Sequence, residues 1–576
     1  MTPPALTATL ALALAALFLP NQQPAARVEY TIRYDRERSP ALLSVGVTAT
    51  GLPRSDRLVA RLANWGEWTA APYEYVRNLR VDGRAVVLDS TGAWRVPPAL
   101  LGDRRLDITY DLMVQPAGTA EHYAHKLLPA RSDHHLFAFA RNTLIGLLAD
   151  TIPLDAGVTV RVESSPGDRV FADWASLSAP TPPASPVPAP DLPFSNGLFA
   201  IGRSRGHAIA EVNGTVLEVV QFAGGPDSAA AVAQVARTLL ASYAEATGRG
   251  PGGRVTIVID GSHRGGTATP YGLVMSRFNP EVLAHELFHH WLGGHHLVGD
   301  ESVVWFYEGF TDYLALWHAA ATGVISPNRF GERMLEIDAN ARASALGRIA
   351  FADSGIVWRD NDGPNETMAY KGGTLLALMV DARLRQTGRT ANALIRHLID
   401  TGPRHFRLTH IREAFAALGL DDLYRESVAG TRMPAIRPVL RDLGFDQIEQ
   451  PAALTYLGIE ARFDGTDPRT PVPAVVTALD SAGPAARAGV LVGDRIVGLQ
   501  GNRRDDPPEL GPGAPSRYRF ALNVIPSGAR SVTLDLERDG RPLQVEVVPV
   551  LTTGGRRFPL RWNPGRGTGF FDTRRR

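Results

Sequence analysis

Apolar positions fall into three regimes along the chain. From Arg27 to about Ser178, short runs rich in β-branched and aromatic residues alternate with turn signals, as in Val28–Tyr34, in Leu43 to Thr48 with Val45 and Val47, and in Leu106–Leu112. Period-two alternation of this kind predicts half-buried strands. A proline-dense stretch, 179–197, then reads as an extended connection. Beyond it the period lengthens. A short β region to Val220 precedes a helix over about Asp227–Thr247, a strand at Val255–Ile259, and then a mainly helical run to about Leu443. From Leu454 the pattern returns to short strands and glycine turns, and after Thr552 the tail mixes Gly, Pro and Arg.

These shifts predict a multidomain α+β chain: a β-sandwich-like domain over 27–178, the linker 179–197, an α+β body over 198–446, a small domain over 452–552 and a mobile basic tail over 553–576. Residues 1–26 resemble an export signal, with an apolar run from Ala5 to Leu19 too short to span a bilayer comfortably and small residues at Pro24–Ala26 for cleavage. The expected location is periplasmic or secreted, with an uncleaved membrane tether as the alternative. Trp65, Trp68, Pro72 and Tyr73 form an aromatic turn region read as packing.

Charge changes little in this picture. Lys+Arg 60 against Asp+Glu 59 provides no field to recruit nucleic acid, and the absence of cysteine removes disulfides, thiolate ligands and a cysteine nucleophile together. Only Lys126 and Lys371 are lysines; arginine carries the remaining basic charge. Any transition metal must be held by imidazole and carboxylate.

One segment offers both. In His285-Glu286-Leu287-Phe288-His289 the histidines stand four apart, so a helix presents both to a single ion. Asn279 and Pro280 supply an N-cap and a first-turn residue, and Gly293-Gly294 an exit. Eighteen residues separate His289 from Glu308, on a second helix expected from Asp300 to about Gly323. Two histidines, one carboxylate and an open fourth position make a catalytic zinc site, one Zn²⁺ per chain, in which bound water has its pKa lowered to ~7. Glu286 is left as general base. Asp312, one turn after Glu308, is placed to accept the outer N–H of a ligand histidine. His290 points off the metal face, and His295 and His296 follow the glycine break, so none is assigned as a ligand.

These residues resemble the gluzincin metallopeptidases, and within them the PDZ-containing glycyl aminopeptidase family, through Glu308-Gly309-Phe310-Thr311-Asp312-Tyr313. Tyr370-Lys371-Gly372-Gly373 and the apolar run after it are similar to the family's catalytic-tyrosine segment. The resemblance implies that Tyr370 donates a hydrogen bond to the developing oxyanion; it assigns Lys371 no role. Tyr456-Leu457-Gly458-Ile459, Ser481–Val490 and Gly493–Ile496 resemble a PDZ domain, which implies that backbone N–H groups around Gly458 receive a terminal carboxylate, with Leu457 and Ile459 flanking the pocket. One departure stands out. The family places an acidic residue, which holds the substrate amine, in a glycine-rich strand before the zinc helix; Arg264–Met275 keeps glycines but has no Asp or Glu.

The expected function is zinc-dependent hydrolysis of peptide bonds, with exo- and endopeptidase action both open. The alternative is a catalytically silent protein that binds peptides through its PDZ domain. Expected partners are a peptide or protein substrate and a C-terminal peptide at the PDZ domain.

Overall fold

In the computed structural model the chain forms two units, Met1–Arg205 and Gly206–Arg576. It describes residues 26–571 except 37–40, 53–57, 63–71, 90–91, 101–103, 117–128, 133–134, 150–151, 154–155, 174–186, 189–196, 223–227, 262, 264, 270, 294–295, 300, 344–349, 353–367, 431–434, 448–449, 464–473, 500–501, 504–530, 558–559 and 568. The expected export signal, Trp65, Trp68, Lys126 and the final arginines lie outside the described residues.

The first unit is β-rich, with sheets of seven, five and four strands. In the seven-stranded sheet, Ala26–Tyr34 pairs parallel to Ala156–Ser164 and antiparallel to Leu42–Thr50. Alternate residues of Ala26–Tyr34 are buried, as the period-two pattern requires. Tyr30 and Tyr110 carry their phenols into the core, where each donates at 2.7 Å to a backbone carbonyl, of Ile145 and Thr143. Burial without such partners would cost a few kcal/mol. Leu198–Gly202, expected to open the next domain, pairs instead with His135–Phe139 and Arg169–Ala172 in this unit. All five of its residues are buried, so it lacks the alternation that would mark one face.

The second unit opens with a five-stranded sheet. Strands β1 (Gly206–Val212) and β2 (Thr215–Gln221) form a hairpin, closed where Asn213 and Gly214 take left-handed backbone angles. Parallel pairing adds β3 (Arg254–Ile259), and β5 (Gly272–Met275) lies beyond it. The glycine-rich stretch folds back on itself, so that β4 (Gly266–Thr269) runs antiparallel to β5 and forms the sheet edge. Helix α1 (Ala229–Thr247), capped by the Ser228 hydroxyl and ended by left-handed Gly248, packs on the sheet. Its Tyr243 hydroxyl donates to Ala284 O at 2.9 Å, which ties α1 to the next helix.

Three further helices carry the candidate chemistry: α2 (Pro280–Phe288), α3 (Val304–Ala321) and α4 (Gly373–Arg385). Asn279 caps α2 as expected, accepting from Glu281 N and Val282 N. The α3 segment begins with a tighter 3-10 turn at Glu301–Val303, and the α-helix proper starts at Val304. Helices α3 and α4 cross at two glycines. A Cβ on Gly373 would stand 2.1 Å from Trp305 O, and one on Gly309 would stand 2.4 Å from Gly373 Cα. The two backbones therefore touch, which no side chain at either position would allow.

The C-terminal part is spliced into this body. Strand β6 (Phe445–Gln447) pairs with β9 (Leu560–Trp562), and β7 (Gln450–Tyr456) pairs with β8 (Val550–Arg557), two ladders that carry the chain out and back. Between them lies a small β module with its own core, including Leu457, Val476, Val490, Ile496, Leu534 and Leu536. The expectation of a mobile tail is corrected here. Trp562, Phe570 and Phe571 pack on Phe445 and Phe330, Trp317 Nε1 donates to Phe570 O at 3.0 Å, and Arg385 lies 4.6 Å from the Phe570 ring centre. Sparse aromatics in a Gly/Pro/Arg background carry no period, yet three of them, Trp562, Phe570 and Phe571, anchor the segment.

Candidate metal centre

Helix α2 and its C-cap residue present His285 and His289 on one side, and α3 brings Glu308 to meet them. Nε2 of His285 lies 3.0 Å from Nε2 of His289, and Glu308 Oε2 lies 3.3 Å and 3.4 Å from these nitrogens. Ligand atoms of the three residues all fall within 4.8 Å of one another.

The other ring nitrogens decide where the protons are. His285 Nδ1 lies 2.8 Å from Asp312 Oδ1, and His289 Nδ1 lies 2.9 Å from Leu292 O. A carboxylate and a carbonyl only accept, so each neutral imidazole carries its proton on Nδ1 and turns a bare Nε2 lone pair inward. Glu308 Oε2 is buried and meets neither nitrogen in hydrogen-bond geometry. With both rings neutral in that tautomer, three lone-pair donors converge, an arrangement that repels itself unless a positive charge, a metal ion or a second ring proton, sits among them. Imidazole and carboxylate without thiolate suit zinc, so the residues present fit the metal.

The electrostatics agree. Burial alone would lower the pKa of both imidazoles, but Asp312 and Glu308 raise His285 well above its ordinary value, and Glu308 chiefly raises His289. Burial would raise Glu308, yet the imidazoles draw it down to about 2. Asp312, also opposed by burial, is held well below the usual carboxylate range by Lys371 and then His285. Positive charge is what this pocket favours.

Glu286 is buried on α2 and accepts from the backbone N–H of Ala268 on β4. Burial pushes its carboxyl up, and the two imidazoles pull it part of the way back. Gly266 lets the strand come this close: a Cβ there would stand 2.5 Å from Glu286 Oε1 and 2.6 Å from its Cγ. Edge strand and acidic side chain are in contact because position 266 has no side chain.

A five-residue π-helical turn, Met368–Gly372, leads into α4 and carries Tyr370 and Lys371. The Tyr370 ring stacks near that of His285, with centroids 6.1 Å apart and planes inclined by 24°. Lys371 Nζ lies 3.2 Å from Asp312 Oδ2. Sequence reasoning assigned no part to Lys371, to Leu292 O, to the Ala268 N–H or to the glycine crossing. Of these, only a lysine in an arginine-dominated chain left a legible signal.

The C-terminal residues singled out in the sequence lie elsewhere. Gly458 adopts φ +76, and Asp480 N donates to its carbonyl at 3.0 Å. Ile459 opens the edge strand Ile459–Phe463, whereas Leu457 is buried in the module core.

No family model matches the sequence, and no curated protein matches it. The fold is similar to that of an aminopeptidase N family protein from Idiomarina loihiensis, with a TM-score of 0.65 and 14% identity over 94% of this chain and 100% of that chain. An M1 zinc metallopeptidase from Deinococcus radiodurans bound to Tyr-Ser-Ala is also similar, at a TM-score of 0.48 and 17% identity over 71% of this chain and 94% of that chain. At 14% identity, the first of these likenesses is one of fold.

Proposed function

We propose that this chain is a zinc-dependent peptidase of the gluzincin type. The observation that carries the reading is the convergence of His285 Nε2, His289 Nε2 and Glu308 Oε2 beside an unligated, buried Glu286. Bound there, zinc would supply Lewis acidity, acidifying a water and polarising the scissile carbonyl. Glu286 takes the proton from the attacking water and returns it to the leaving amine, work suited to a carboxyl whose pKa burial has raised. Tyr370, stacked near His285, donates its phenolic O–H to the oxyanion. Substrate lies extended along the open edge of β4, pairing with backbone groups beside Ala268.

The same reading extends outward from the metal. Glu308 to Tyr313 and Tyr370 to Gly373 support membership of the glycyl aminopeptidase group, but β4 is uncharged from Gly266 to Thr269 and offers no acid for a substrate amine. Internal peptide bonds are therefore within the proposed substrate range. The left-handed Gly458 beside an edge strand supports a PDZ-like module that binds C-terminal peptides. Residues 1–26 support export.

A Glu286→Gln variant tests the assignment. It keeps the metal ligands intact and should retain one zinc per chain while losing a factor of 10²–10⁴ in kcat on a mixed peptide library. Full turnover in the variant would overturn the assigned base. Products from the wild-type digest distinguish removal of N-terminal residues from internal cleavage.

A further inference from the structure

We infer that Lys371 is a positioning residue for the metal centre, acting on His285 through Asp312. The inference rests on the zinc reading above. Asp312 has two oxygens with separate duties. Oδ1 accepts from His285 Nδ1, the contact that fixes the ring so that its Nε2 faces the metal. Oδ2 faces Lys371 Nζ at 3.2 Å and Thr374 Oγ1 at 3.5 Å. Thr374 has a single hydroxyl proton, and its shorter contact, 2.7 Å, is to Tyr370 O. That proton is spent on the backbone, so the ammonium is the donor that holds Oδ2.

Both ends of this chain of contacts are sheltered. Side-chain exposure is 17% for Asp312 and 26% for Lys371. A sheltered carboxylate with one oxygen stripped of its donor turns toward water, and turning about its own bond takes Oδ1 away from His285. The ring then loses the acceptor that sets its tautomer and tilt. Partners of this kind, one bond removed from the metal, typically account for 10–100-fold in metal affinity.

The choice of amino acid supports the role. Of 60 basic residues only two are lysines, so lysine at position 371 is an exception to the chain's arginine bias. A guanidinium presents a planar fork that engages both oxygens of a carboxylate. At position 371 it would compete with His285 for Oδ1. A compact ammonium on a flexible stem takes Oδ2 alone. Lys371 Nζ also stands 5.7 Å from the centre of the Tyr370 ring, so one side chain bears on both the metal ligand and the proposed oxyanion donor.

The test is zinc affinity of metal-stripped protein, measured in competition with a chromophoric chelator. Lys371→Met should weaken zinc by 10–100-fold, and Lys371→Arg should recover only part of that loss. Thr374→Val, which leaves the ammonium in place, should stay within about twofold of the parent. In peptide hydrolysis at saturating zinc, Lys371→Met should lower kcat with KM nearly unchanged. Should Lys371→Met fail to fold, as judged by the melting of its zinc-free form, Lys371→Gln replaces it, its neutral N–H giving an intermediate affinity. A Met or Gln variant that binds zinc as tightly as the parent overturns the assignment, as does a Thr374→Val variant that loosens zinc as much as Lys371→Met. If the expected zinc losses appear while no form of the protein cleaves peptides, the peptidase reading falls and the role of Lys371 stands. A parent protein that takes up no zinc overturns both.

Discussion

Replacing Gly373 by alanine probes the contact that brings the α3 and α4 backbones together. The added Cβ would stand 2.1 Å from Trp305 O and 3.0 Å from Gly309 Cα, with backbone on both sides and no flexible side chain to yield. Restoring an ordinary carbon–oxygen separation of ~3.3 Å requires the helices to part by roughly 1 Å, if they move along the line of contact. Overpacking of this kind costs about 1–3 kcal/mol. The functional effect should be larger than the loss of stability suggests, because α3 carries Glu308 and Asp312 while Tyr370 and Lys371 immediately precede α4. A displacement of ~1 Å between catalytic groups commonly lowers the rate about 10²-fold. Urea denaturation and steady-state hydrolysis, measured on the same preparation, separate the two effects. A Gly373→Ala protein with the parent's denaturation midpoint and full kcat would refute the argument that the glycine crossing sets the geometry of the site.

Two further outcomes follow from buried groups away from the metal. His318 is fully buried, with Nδ1 2.7 Å from Ser242 Oγ and Nε2 3.2 Å from Asn392 Oδ1; burial, partly offset by Asn392, lowers its pKa to about 4. The unfolded chain binds this proton at an ordinary pKa near ~6.5, so stability from the neutral ring is complete above that pH and is lost as pH falls toward 4, by at most roughly 3 kcal/mol. Zinc-free protein and a His318→Gln variant should therefore diverge in the pH dependence of unfolding between pH 6.5 and 4, with the steeper loss in the parent; parallel curves would refute it. Phe570→Ala should destabilise the second unit by about 3–5 kcal/mol in chemical denaturation, because the ring is buried against Phe445 and Trp562 and under Arg385. A loss under 1 kcal/mol would mean that the C-terminal segment is not integral to that unit.

What could be read from the sequence was local. Four-residue spacing put His285 and His289 on one face, Asn279 and Pro280 marked the start of α2, and alternation marked Val28–Tyr34 and Leu106–Leu112, which lie within the strands Ala26–Tyr34 and Arg105–Met113. Each of these signals is complete within a dozen residues. Illegible features depended on distant parts of the chain meeting. Gly309 and Gly373 look like ordinary helix glycines until the two helices are seen to cross at them. Leu198–Gly202 reads as a strand, but not as a strand of the first unit, because a run buried on both faces has no orientation. The C-terminal segment was misjudged because composition averages over three aromatics, Trp562, Phe570 and Phe571, that act individually. Leu457, read as flanking a pocket beside Gly458, is buried, and its carbonyl accepts from Ala485 N.

The arrangement around Asp312 also explains why the three helices must be tuned together. Of the candidate metal ligands, His285 lies on α2, His289 is its C-cap and Glu308 lies on α3, so their convergence depends on the packing of these two helices. Asp312 adds a second requirement, because its Oδ1 reads the position of α2 through His285 and its Oδ2 reads the position of the α4 segment through Lys371. A shift of α4 would therefore reach His285 through Asp312, and a shift of α2 would reach Tyr370 through the ring stacked near His285. The glycine crossing limits the first movement, and the Tyr243 hydrogen bond to Ala284 O limits the second. Geometry at the centre is thus over-determined by contacts outside it, as a preorganised site requires.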